Sequence, residues 1–393
     1  MRLGLRKAFR HCATSTASGK AFASSSFKNA NAARSTLFQN WGHLRHLHLD
    51  RSSSFSASSS LGVRTISSLA SKRALSSSAA AEEEVVYTEE EDETRKDLMK
   101  KELTFVRNGE CLAFPYASKE DFLLLGKRGA YTTARSVGSN AVFEFEAHVE
   151  RLVKTTRLMA KEDDSVLASE VSVQYLRPKL LESHGVGMKR FTEEFGDKEM
   201  KITTLLTWET NDFEVSTLVV PLGERPVQPV AVQIGGKPRK NALAKDSEWT
   251  RQRLELEQLA KAKDCNEVIL VDDSGCLFEG LQTNFYVMKD GKLQTAGEGI
   301  LEGTVRKLLL EECEKENIGV DLQPPRMDEM ESWQGAFISS TSRLLLPVSE
   351  IFYTDASGEE KCKKFSPLDS QVLLLEQLIL DRYRDESTVI NDV

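Results

Sequence analysis

The sequence predicts a two-domain protein of the mixed α+β and α/β class, preceded by an N-terminal leader. With 393 residues the chain exceeds one ordinary domain, and its 40% apolar content is enough to bury a substantial core. Strand-like and helix-like segments occur on both sides of a stretch with three prolines at 221–229. We therefore expect a small N-terminal α+β domain at 102–220, a linker at 221–229 and a larger C-terminal domain at 230–393.

The first 81 residues have the composition of a targeting segment rather than of a folded domain. They contain twelve lysines and arginines against one acid, Asp50, and they are rich in serine and alanine. A basic, hydroxylated and acid-poor N-terminus is typical of organellar transit peptides. We expect a mitochondrial protein, with the plastid as the alternative. A charged connector at 82–101 follows this predicted transit peptide.

Charge and composition limit the classes of partner. The leader carries a formal charge of +11, so a total of −8 leaves −19 for the remaining chain. Such an acidic protein is a poor match for nucleic acid or anionic lipid. The sequence has no run of about 18 apolar residues that could span a bilayer. A small-molecule substrate is the better expectation.

Cysteine and histidine usage narrows the chemistry further. Five scattered cysteines lie beyond the leader, an odd number that indicates reduced thiols. Four of the six histidines lie in the leader, which leaves His148 and His184. We therefore predict no metal site and no triad built on several histidines, and we expect His148 to be structural rather than catalytic.

The first domain shows three strand signals and one helix signal. The sequence predicts strands at 131–137, 202–207 and 213–221. A turn at 138–140 follows the first strand, and helical periodicity predicts a helix from about 145 to 159.

The second domain is predicted to begin with a strand at 230–234 and a helix at 246–263. Asp246 or Ser247 can cap this helix, which leaves Lys245 just outside its first turn. Further strands are predicted at 267–271, 276–278, 284–288, 292–295 and 336–340, with turns at 273–275 and 290–291. Two more helices are predicted at 303–315 and 368–383.

Three pieces of the second domain carry the strongest chemical signal. Lys245 precedes a predicted helix, Glu279 ends a predicted strand 34 residues later, and Gly303 opens the helix start Gly-Thr-Val-Arg. A lysine amine can form a Schiff base with an aldehyde cofactor, and a carboxylate can keep a pyridine nitrogen protonated. The amides of a helix N-terminus can bind a phosphate. These are the requirements of pyridoxal phosphate.

In their order and spacing, these three motifs resemble those of the fold-type IV pyridoxal-phosphate enzymes. They read Ala-Lys245-Asp-Ser-Glu, Phe-Glu279-Gly-Leu-Gln-Thr-Asn and Ile-Leu-Glu-Gly303-Thr-Val-Arg. That family includes branched-chain and D-amino-acid aminotransferases and aminodeoxychorismate lyase. The resemblance runs from about Gly129 to about Val348. It implies a barrel-like sheet in the larger domain, a homodimer, and a cofactor in the cleft between the domains.

The resemblance assigns one group of residues to the cofactor phosphate. Arg151 lies in a His-x-x-Arg-Leu element whose arginine contacts the phosphate in relatives, and guanidinium groups suit phosphate oxygens. The helix-start amides and two hydroxyls would supply the remaining contacts, from Thr304, Val305, Ser340 and Thr341. Val305 replaces a frequent threonine, so it would contribute only its backbone N–H.

The resemblance also implies the residues around the reacting centre. Lys245 would be the catalytic lysine, Glu279 the partner of the pyridine nitrogen, and Tyr131 a residue on the substrate side. A free lysine titrates near pH ~10.4, so Lys245 needs surroundings that lower its pKa to about 7–8. The adjacent helix N-terminus would contribute. The rival lysines, Lys237 and Lys240, lie in a basic turn that we expect to be solvated.

Several positions near the expected substrate depart from the family pattern. Trp249-Thr250 replaces a frequent Asn-Tyr pair, and Thr132 stands where an acid is common. Arg343 occupies a position that is usually small or acidic, so we hypothesise that it holds a substrate carboxylate or restricts side-chain size. These departures leave the identity of the amino acid and its enantiomer open.

The motifs predict an aminotransferase that uses pyridoxal phosphate to move an amino group between an amino acid and a 2-oxo acid. A lyase that uses the same residues stays open, because both reactions begin by removing the same proton. A non-catalytic protein that keeps the fold also stays open, because the departures lie on the substrate side.

Overall fold

The computed structural model of the protein describes residues 102–160, 171–209 and 212–390, all of which belong to one compact unit, Glu84–Val393. The predicted transit peptide at 1–81 and the connector at 82–101 lie outside the described residues. None of the helices in these ranges is long and apolar enough to cross a membrane.

The first sheet is antiparallel and has seven strands in the order β16-β4-β3-β5-β6-β1-β2. Its strands are β1 (Thr104–Arg107), β2 (Glu110–Leu112), β3 (Ala130–Val137), β4 (Ala141–Phe143), β5 (Met200–Glu209), β6 (Asp212–Pro221) and β16 (Ser387–Val389). The predicted strands at 131–137, 202–207 and 213–221 correspond to β3, β5 and β6. The turn at 138–140 is present as well, with Gly138 at a φ of 61°.

Three helices belong to this part of the chain: α1 (Asp121–Leu124), α2 (Phe145–Ala160) and α3 (Val173–Phe195). The sequence predicted α2 but not α3, although α3 buries Leu176, Leu180, Met188 and Phe191 at helical spacing. Pro178 lies inside α3 and weakens the helix signal, because proline removes one backbone hydrogen bond. Ser172 starts the helix by accepting a hydrogen bond from the amide of Tyr175.

The second sheet has nine strands. They are β7 (Val230–Ile234), β8 (Glu267–Val271), β9 (Leu277–Gly280), β10 (Asn284–Lys289), β11 (Lys292–Gln294), β12 (Val320–Asp321), β13 (Trp333–Ser340), β14 (Leu344–Thr354) and β15 (Glu360–Lys364). Six of them form a closed ring in the order β10-β13-β14-β7-β8-β9, because Glu279 of β9 pairs with Asn284 of β10. The predicted barrel-like sheet is confirmed.

The remaining helices are α4 (Glu248–Gln252), α5 (Leu254–Ala262), α6 (Thr304–Lys315) and α7 (Ser370–Arg382), with a short 3-10 helix at Met327–Ser332. The predicted single helix at 246–263 is divided in the structure, because Arg253 forms a turn that separates two helices. Arg253 donates hydrogen bonds to the Glu257 carboxylate and the Leu281 carbonyl. Of the two predicted caps, the Asp246 carboxylate accepts the amide of Glu248.

The two sheets lie on either side of 221–229 in the sequence, with one exception. The C-terminal strand β16 returns to the first sheet and pairs with β4. One apolar core joins Phe143 of the first sheet to α6 and α7 of the second part. The division into two domains at 221–229 stays a prediction.

Candidate active site

A cavity of about 580 Å³ brings together most of the residues singled out in the sequence. One side is the face of β3, β5 and β6, and the other side is formed by the segments that end β9 and begin α6. The predicted site residues that line it are Tyr131, Arg151, Lys245, Glu279, Ser340, Thr341 and Arg343. Thr304 and Val305 directly follow Gly303 in the sequence, and Gly303 lines the cavity.

Lys245 is held by backbone contacts to the first sheet and to α2. Its amide donates to the Thr155 hydroxyl at 3.1 Å, and its carbonyl accepts the amide of Tyr131 at 2.9 Å. Burial lowers the pKa of Lys245 to about 8, with the positive charges of Arg151 and Arg253 acting in the same direction. Burial is therefore the main cause, rather than the helix N-terminus that the sequence suggested. At pH 7 roughly a tenth of an amine with this pKa is unprotonated, far more than for a free lysine.

Tyr131 packs directly against the reactive amine. The Lys245 Nζ atom lies 4.8 Å from the centroid of the tyrosine ring, and the ring is 4% exposed. Burial raises the pKa of Tyr131, but the positive charges of Lys245, Arg253 and Arg239 outweigh it and lower the pKa below its ordinary value. The phenol thus sits in a cationic setting that stabilises a negative charge near Lys245.

Glu279 is buried at the end of β9, with 3% of its surface exposed. Its Oε1 atom accepts hydrogen bonds from Nε of Arg239 at 2.8 Å, and its Oε2 atom accepts the Leu301 amide at 2.9 Å. Burial raises the pKa of Glu279, and Arg239 is the largest influence that lowers it. The arginine therefore helps to keep this buried carboxylate charged.

Arg239 corrects one expectation from the sequence. The basic turn at 236–240 was expected to be solvated, and Lys237 and Lys240 are exposed, but the Arg239 side chain is only 8% exposed. Besides Glu279, it binds the carbonyls of Ala242 and Ala244 at 2.8 and 3.2 Å. It thereby ties the carboxylate to the loop that ends in Lys245.

The start of α6 provides a subsite for a phosphate. Helix geometry leaves the first-turn amides without acceptors inside the helix, and these include the amides of Thr304 and Val305. The Val305 side chain is buried, so only its backbone is available for binding. The hydroxyls of Thr304 and Thr341 form a hydrogen bond of 2.9 Å, which links α6 to the turn between β13 and β14. Ser340 ends β13 directly before this turn and its hydroxyl accepts the Arg343 amide at 3.3 Å.

Arg151 and Gly303 complete this subsite. Arg151 donates to the Glu302 carbonyl at 2.9 Å, directly before α6, and burial lowers its pKa to about 10. A Cβ atom at Gly303 would lie 2.2 Å from Oδ1 of Asn284, so a larger residue here would force the Asn284 side chain to move. Asn284 in turn binds the Leu301 carbonyl at 2.7 Å, while the Leu301 amide binds Glu279. One short loop therefore fixes both the carboxylate and the helix start.

The donor set fits pyridoxal phosphate. Lys245 offers an amine of lowered pKa for the aldehyde, Glu279 offers a buried carboxylate for the ring nitrogen, and Arg151 offers a cation beside the α6 amides for the phosphate. Within the described residues, no group of three or more His, Cys, Asp or Glu could hold a metal ion.

Two of the positions that depart from the family pattern, Arg343 and Thr132, differ in their contacts. Arg343 lines the cavity, but its Nη1 atom donates to Oδ1 of Asn266 at 2.9 Å and lies 3.7 Å from Oε2 of Glu267. Thr132 is buried, and its hydroxyl lies 2.7 Å from Nδ1 of His148. Burial holds the pKa of His148 well below its usual 6.5, so this histidine is neutral at physiological pH, in agreement with the structural role expected of it.

Sequence reasoning missed five cations that line the cavity: Lys119, Lys201, Arg239, Arg253 and Lys261. Lys119 and Lys261 are exposed, whereas Arg239, Arg253 and Lys201 are partly buried. Arg239 lies within a basic turn whose composition is typical of solvent-exposed segments, and its partner Glu279 is 40 residues away in the sequence. Arg253 was hidden inside a helix predicted to be continuous, whereas its side chain is hydrogen-bonded to Tyr131. Lys201 is the second residue of β5, and a lysine near a strand end normally faces solvent. No local signal distinguishes these positions.

Comparisons with known proteins agree with this geometry. The family model described as amino-transferase class IV matches residues 129–351, which is more than half of the chain. A putative branched-chain-amino-acid aminotransferase of Methanocaldococcus jannaschii is 31% identical over 88 residues, or 22% of this chain. The match spans 31% of the length of that relative.

Solved structures share the fold at low identity. A branched-chain aminotransferase of Thermoproteus uzoniensis, solved with norvaline, is 17% identical with a TM-score of 0.55, over 73% of this chain and 99% of that one. A hypothetical aminotransferase of Mycobacterium tuberculosis, solved with α-ketoglutarate and PMP, is 18% identical with a TM-score of 0.57, over 72% and 99%. The chain therefore belongs to the class IV aminotransferase family, as its motifs predict, and pyridoxal phosphate is the cofactor of that family.

Proposed function

We propose that this chain is a transaminase that exchanges an amino group between an amino acid and a 2-oxo acid. The position of Lys245 carries this proposal, because its amine has a lowered pKa and shares one cavity with Glu279 and the start of α6. The relatives named as branched-chain aminotransferases support an aliphatic amino acid as one substrate. The α-ketoglutarate in the M. tuberculosis structure supports a 2-oxo acid as the acceptor.

Each residue of the site has a task in this reaction. Pyridoxal phosphate, when bound, withdraws electrons from the substrate carbon that carries the amino group and so makes its proton removable. Lys245 takes up that proton at Nζ, for which a pKa of about 8 is suitable near neutral pH. Glu279 would bind the pyridine nitrogen and favour its protonated form, and Arg239 helps to keep Glu279 charged for this role. Arg151 and the α6 amides would hold the phosphate of the bound cofactor.

A single-turnover experiment tests the proposal. The cofactor-loaded protein is mixed with one amino acid and no acceptor, and conversion of the cofactor to its pyridoxamine form is followed by absorbance while the 2-oxo acid is identified by mass spectrometry. A transaminase converts one cofactor per site, a lyase releases product without this conversion, and a non-catalytic protein does neither. L- and D-forms of valine, leucine and glutamate would identify the substrate, and Lys245→Ala serves as the inactive control.

We further propose that the protein is a mitochondrial homodimer. Sedimentation should give twice the mass of the mature chain, and a monomer that retains activity would contradict this. A fluorescent protein fused behind residues 1–81 should accumulate in mitochondria. Accumulation in plastids would support the alternative location.

A further inference from the structure

A second cavity, of about 640 Å³, adjoins the segment that connects β6 to β7. We call it the linker cavity. Its walls are the end of β3, the connection at 222–225, the turn that leads into β14 and the C-terminal end of α7. Tyr131, Lys245 and Glu279 do not line it. The linker cavity is therefore separate from the reacting centre, and the proposed reaction does not use its charged groups.

Arg135 is the most deeply buried charged residue of the linker cavity. Its side chain is 7% exposed, and its Nη2 atom donates to Glu199 at 2.7 Å. The Nη1 atom has a longer contact, of 3.4 Å, with the Ser342 carbonyl, and the Nε atom is buried without a hydrogen-bond partner in the described residues. A guanidinium group has five N–H donors. Arg135 therefore keeps donors for a ligand, and an anionic acceptor would recover free energy that unpaired buried donors cost.

A second arginine lies beside the same aromatic ring. The centroid of the Tyr383 ring is 4.8 Å from Cζ of Arg135 and 4.8 Å from Cζ of Arg384. The two guanidinium groups are therefore at most twice this distance apart. Arg384 is exposed, and its charge has no carboxylate partner among the residues that the structure describes. A carboxylate bound between the two arginines would interact favourably with both.

Two carboxylates of the linker cavity also lack a cation. Glu224 is exposed and has no hydrogen bond or ion pair with a described residue. Asp381 of α7 accepts a neutral amide, Nε2 of Gln377, at 2.8 Å. The remaining charges of the walls are paired, Arg225 with Glu376 at 2.8 Å and Lys198 with Glu102 at 2.6 Å. The charges left for a ligand have both signs, so a zwitterion matches them better than a simple anion.

The linker cavity also has apolar walls. Pro221 and Leu222 come from the end of β6 and the connection after it, Leu344 from the start of β14, and Leu380 from α7. An aliphatic group packed against them would leave no polar group unpaired. Its burial would contribute about 25 cal/mol per Å² of apolar surface. The walls therefore favour a zwitterion that carries an aliphatic side chain.

The linker cavity shares part of its wall with the active-site cavity. Residues 222–224 and Ser342 line both cavities. Arg135 contacts the Ser342 carbonyl, and the neighbouring Thr341 is hydrogen-bonded to Thr304 in the phosphate subsite. A ligand carboxylate at Arg135 would compete with the Ser342 carbonyl and loosen this turn. Binding in the linker cavity would then weaken the phosphate subsite.

We infer that the linker cavity binds a free α-amino acid with an aliphatic side chain, as an effector at a site distinct from the substrate site. The carboxylate of this ligand contacts Arg135 and Arg384, and its ammonium group lies between Glu224 and Asp381. Its side chain packs against the apolar wall. Through the turn before β14, the bound amino acid lowers the affinity for pyridoxal phosphate. The inference does not depend on which amino acid reacts at Lys245.

The test uses a ligand that cannot react with the cofactor. N,N-Dimethylleucine is a zwitterion with an aliphatic side chain, and its tertiary amine cannot form a Schiff base. Calorimetry on the cofactor-loaded protein compares both of its enantiomers with 4-methylpentanoate, which lacks the ammonium group, and with N,N-dimethyl-3-methylbutylamine, which lacks the carboxylate. One enantiomer of N,N-dimethylleucine should bind at least about fivefold more tightly than either single-charge ligand.

Two variants assign the two ends of the ligand. Arg384→Met should weaken N,N-dimethylleucine and 4-methylpentanoate by about twofold to fivefold and leave the amine unchanged. Asp381→Asn should weaken N,N-dimethylleucine and the amine by about the same factor and leave 4-methylpentanoate unchanged. Arg190→Met is the matched control, because Arg190 is an exposed arginine paired with Glu194 on α3, and it should bind all three ligands as wild type does.

A third variant blocks the linker cavity. Gln377 is exposed on α7 and lines the cavity, so Gln377→Trp should fill it without disturbing the core. N,N-Dimethylleucine should no longer bind, while turnover in its absence stays as in wild type. Leu374→Trp, at an exposed position of α7 outside the cavity walls, is the control and should retain binding. Heat that remains in Gln377→Trp measures binding elsewhere.

The effect on the cofactor is measured by titrating the cofactor-free full chain with pyridoxal phosphate. Saturating N,N-dimethylleucine should raise the dissociation constant by about fivefold or more in wild type and leave it unchanged in Gln377→Trp. The inference would be overturned if wild type did not bind N,N-dimethylleucine, if Gln377→Trp bound it equally well, or if the dissociation constant of the cofactor did not rise. Failure of the proposed transaminase function would leave these binding results unchanged, because none of them requires turnover.

Discussion

Replacing Arg239 by methionine should destabilise the protein through Glu279. The arginine is the only side-chain partner of the Glu279 carboxylate within the described residues, and both side chains are below 10% exposed. Removing one member of a buried ion pair leaves the other charge uncompensated and costs about 3–5 kcal/mol. The carbonyls of Ala242 and Ala244 also lose their donors. We therefore expect a loss of at least about 3 kcal/mol in the free energy of unfolding.

A double-mutant cycle on the cofactor-free protein measures this interaction. Chemical denaturation is compared for wild type, Arg239→Met, Glu279→Gln and the double variant. The loss in the free energy of unfolding in the double variant should be smaller than the sum of the two single losses by about 1–3 kcal/mol, because the double variant removes both charges. Lys237→Met, in the same turn and in an exposed pair with Asp273, is the control and should change stability by less than about 0.5 kcal/mol.

The stability lost in Arg239→Met should depend on pH, and the raised pKa of Glu279 gives the direction. Burial raises the pKa of Glu279 in the folded protein above its ordinary 4.5, so its protonated form favours folding and its contribution to stability is lost as pH rises through the raised pKa. Without Arg239 the pKa rises further. The stability deficit of Arg239→Met should therefore grow with pH above about 4.5 and shrink in acid. Additive single effects, or a deficit independent of pH, would refute the assignment of Arg239 as the partner of Glu279.

Three further predictions concern the cofactor site. The rate at which the cofactor-free protein takes up pyridoxal phosphate should rise with pH through about 8 and level off above it, because only the unprotonated Lys245 amine reacts; a constant rate in stopped-flow measurements would contradict this. Gly303→Ala should weaken cofactor binding at least about tenfold in equilibrium titrations, because the added Cβ meets Asn284, and Asn284→Ala should restore part of the affinity. Glu279→Gln should keep the cofactor but slow proton removal by about 10²–10³-fold in single-turnover assays, since an amide cannot hold the ring nitrogen protonated; an unchanged rate would place another residue at that nitrogen.

Local patterns in the sequence predicted most of the secondary structure that positions the site. The strands β3 and β10 are short runs bounded by turn signals, and the helix α6 has apolar residues at helical spacing. The helix α3 was missed because a proline interrupts its pattern, and the break between α4 and α5 has no glycine or proline to mark it. The closure of the six-strand ring depends on one pairing between β9 and β10, which periodicity alone does not specify.

The site shows the same division between local and long-range information. Lys245 and Glu279 could be predicted because their spacing and flanking residues form a recognisable pattern. Arg239 and Lys201 could not, because the chemistry of each comes from burial that only the folded chain creates. Arg343 was predicted as a substrate residue from its unusual identity, and its contact with Asn266 shows that part of its hydrogen-bonding capacity is already used.

The identity of the lysine that binds the cofactor is the central claim, and peptide mapping after borohydride reduction tests it most directly. Reduction fixes the cofactor permanently to the amine it has joined, and mass spectrometry then locates the added pyridoxyl group. We predict that the group lies on the peptide containing Lys245, and that Lys245→Ala abolishes both the labelling and the turnover. Labelling of the exposed Lys240, with activity surviving in Lys245→Ala, would contradict the assignment and the geometry built on it.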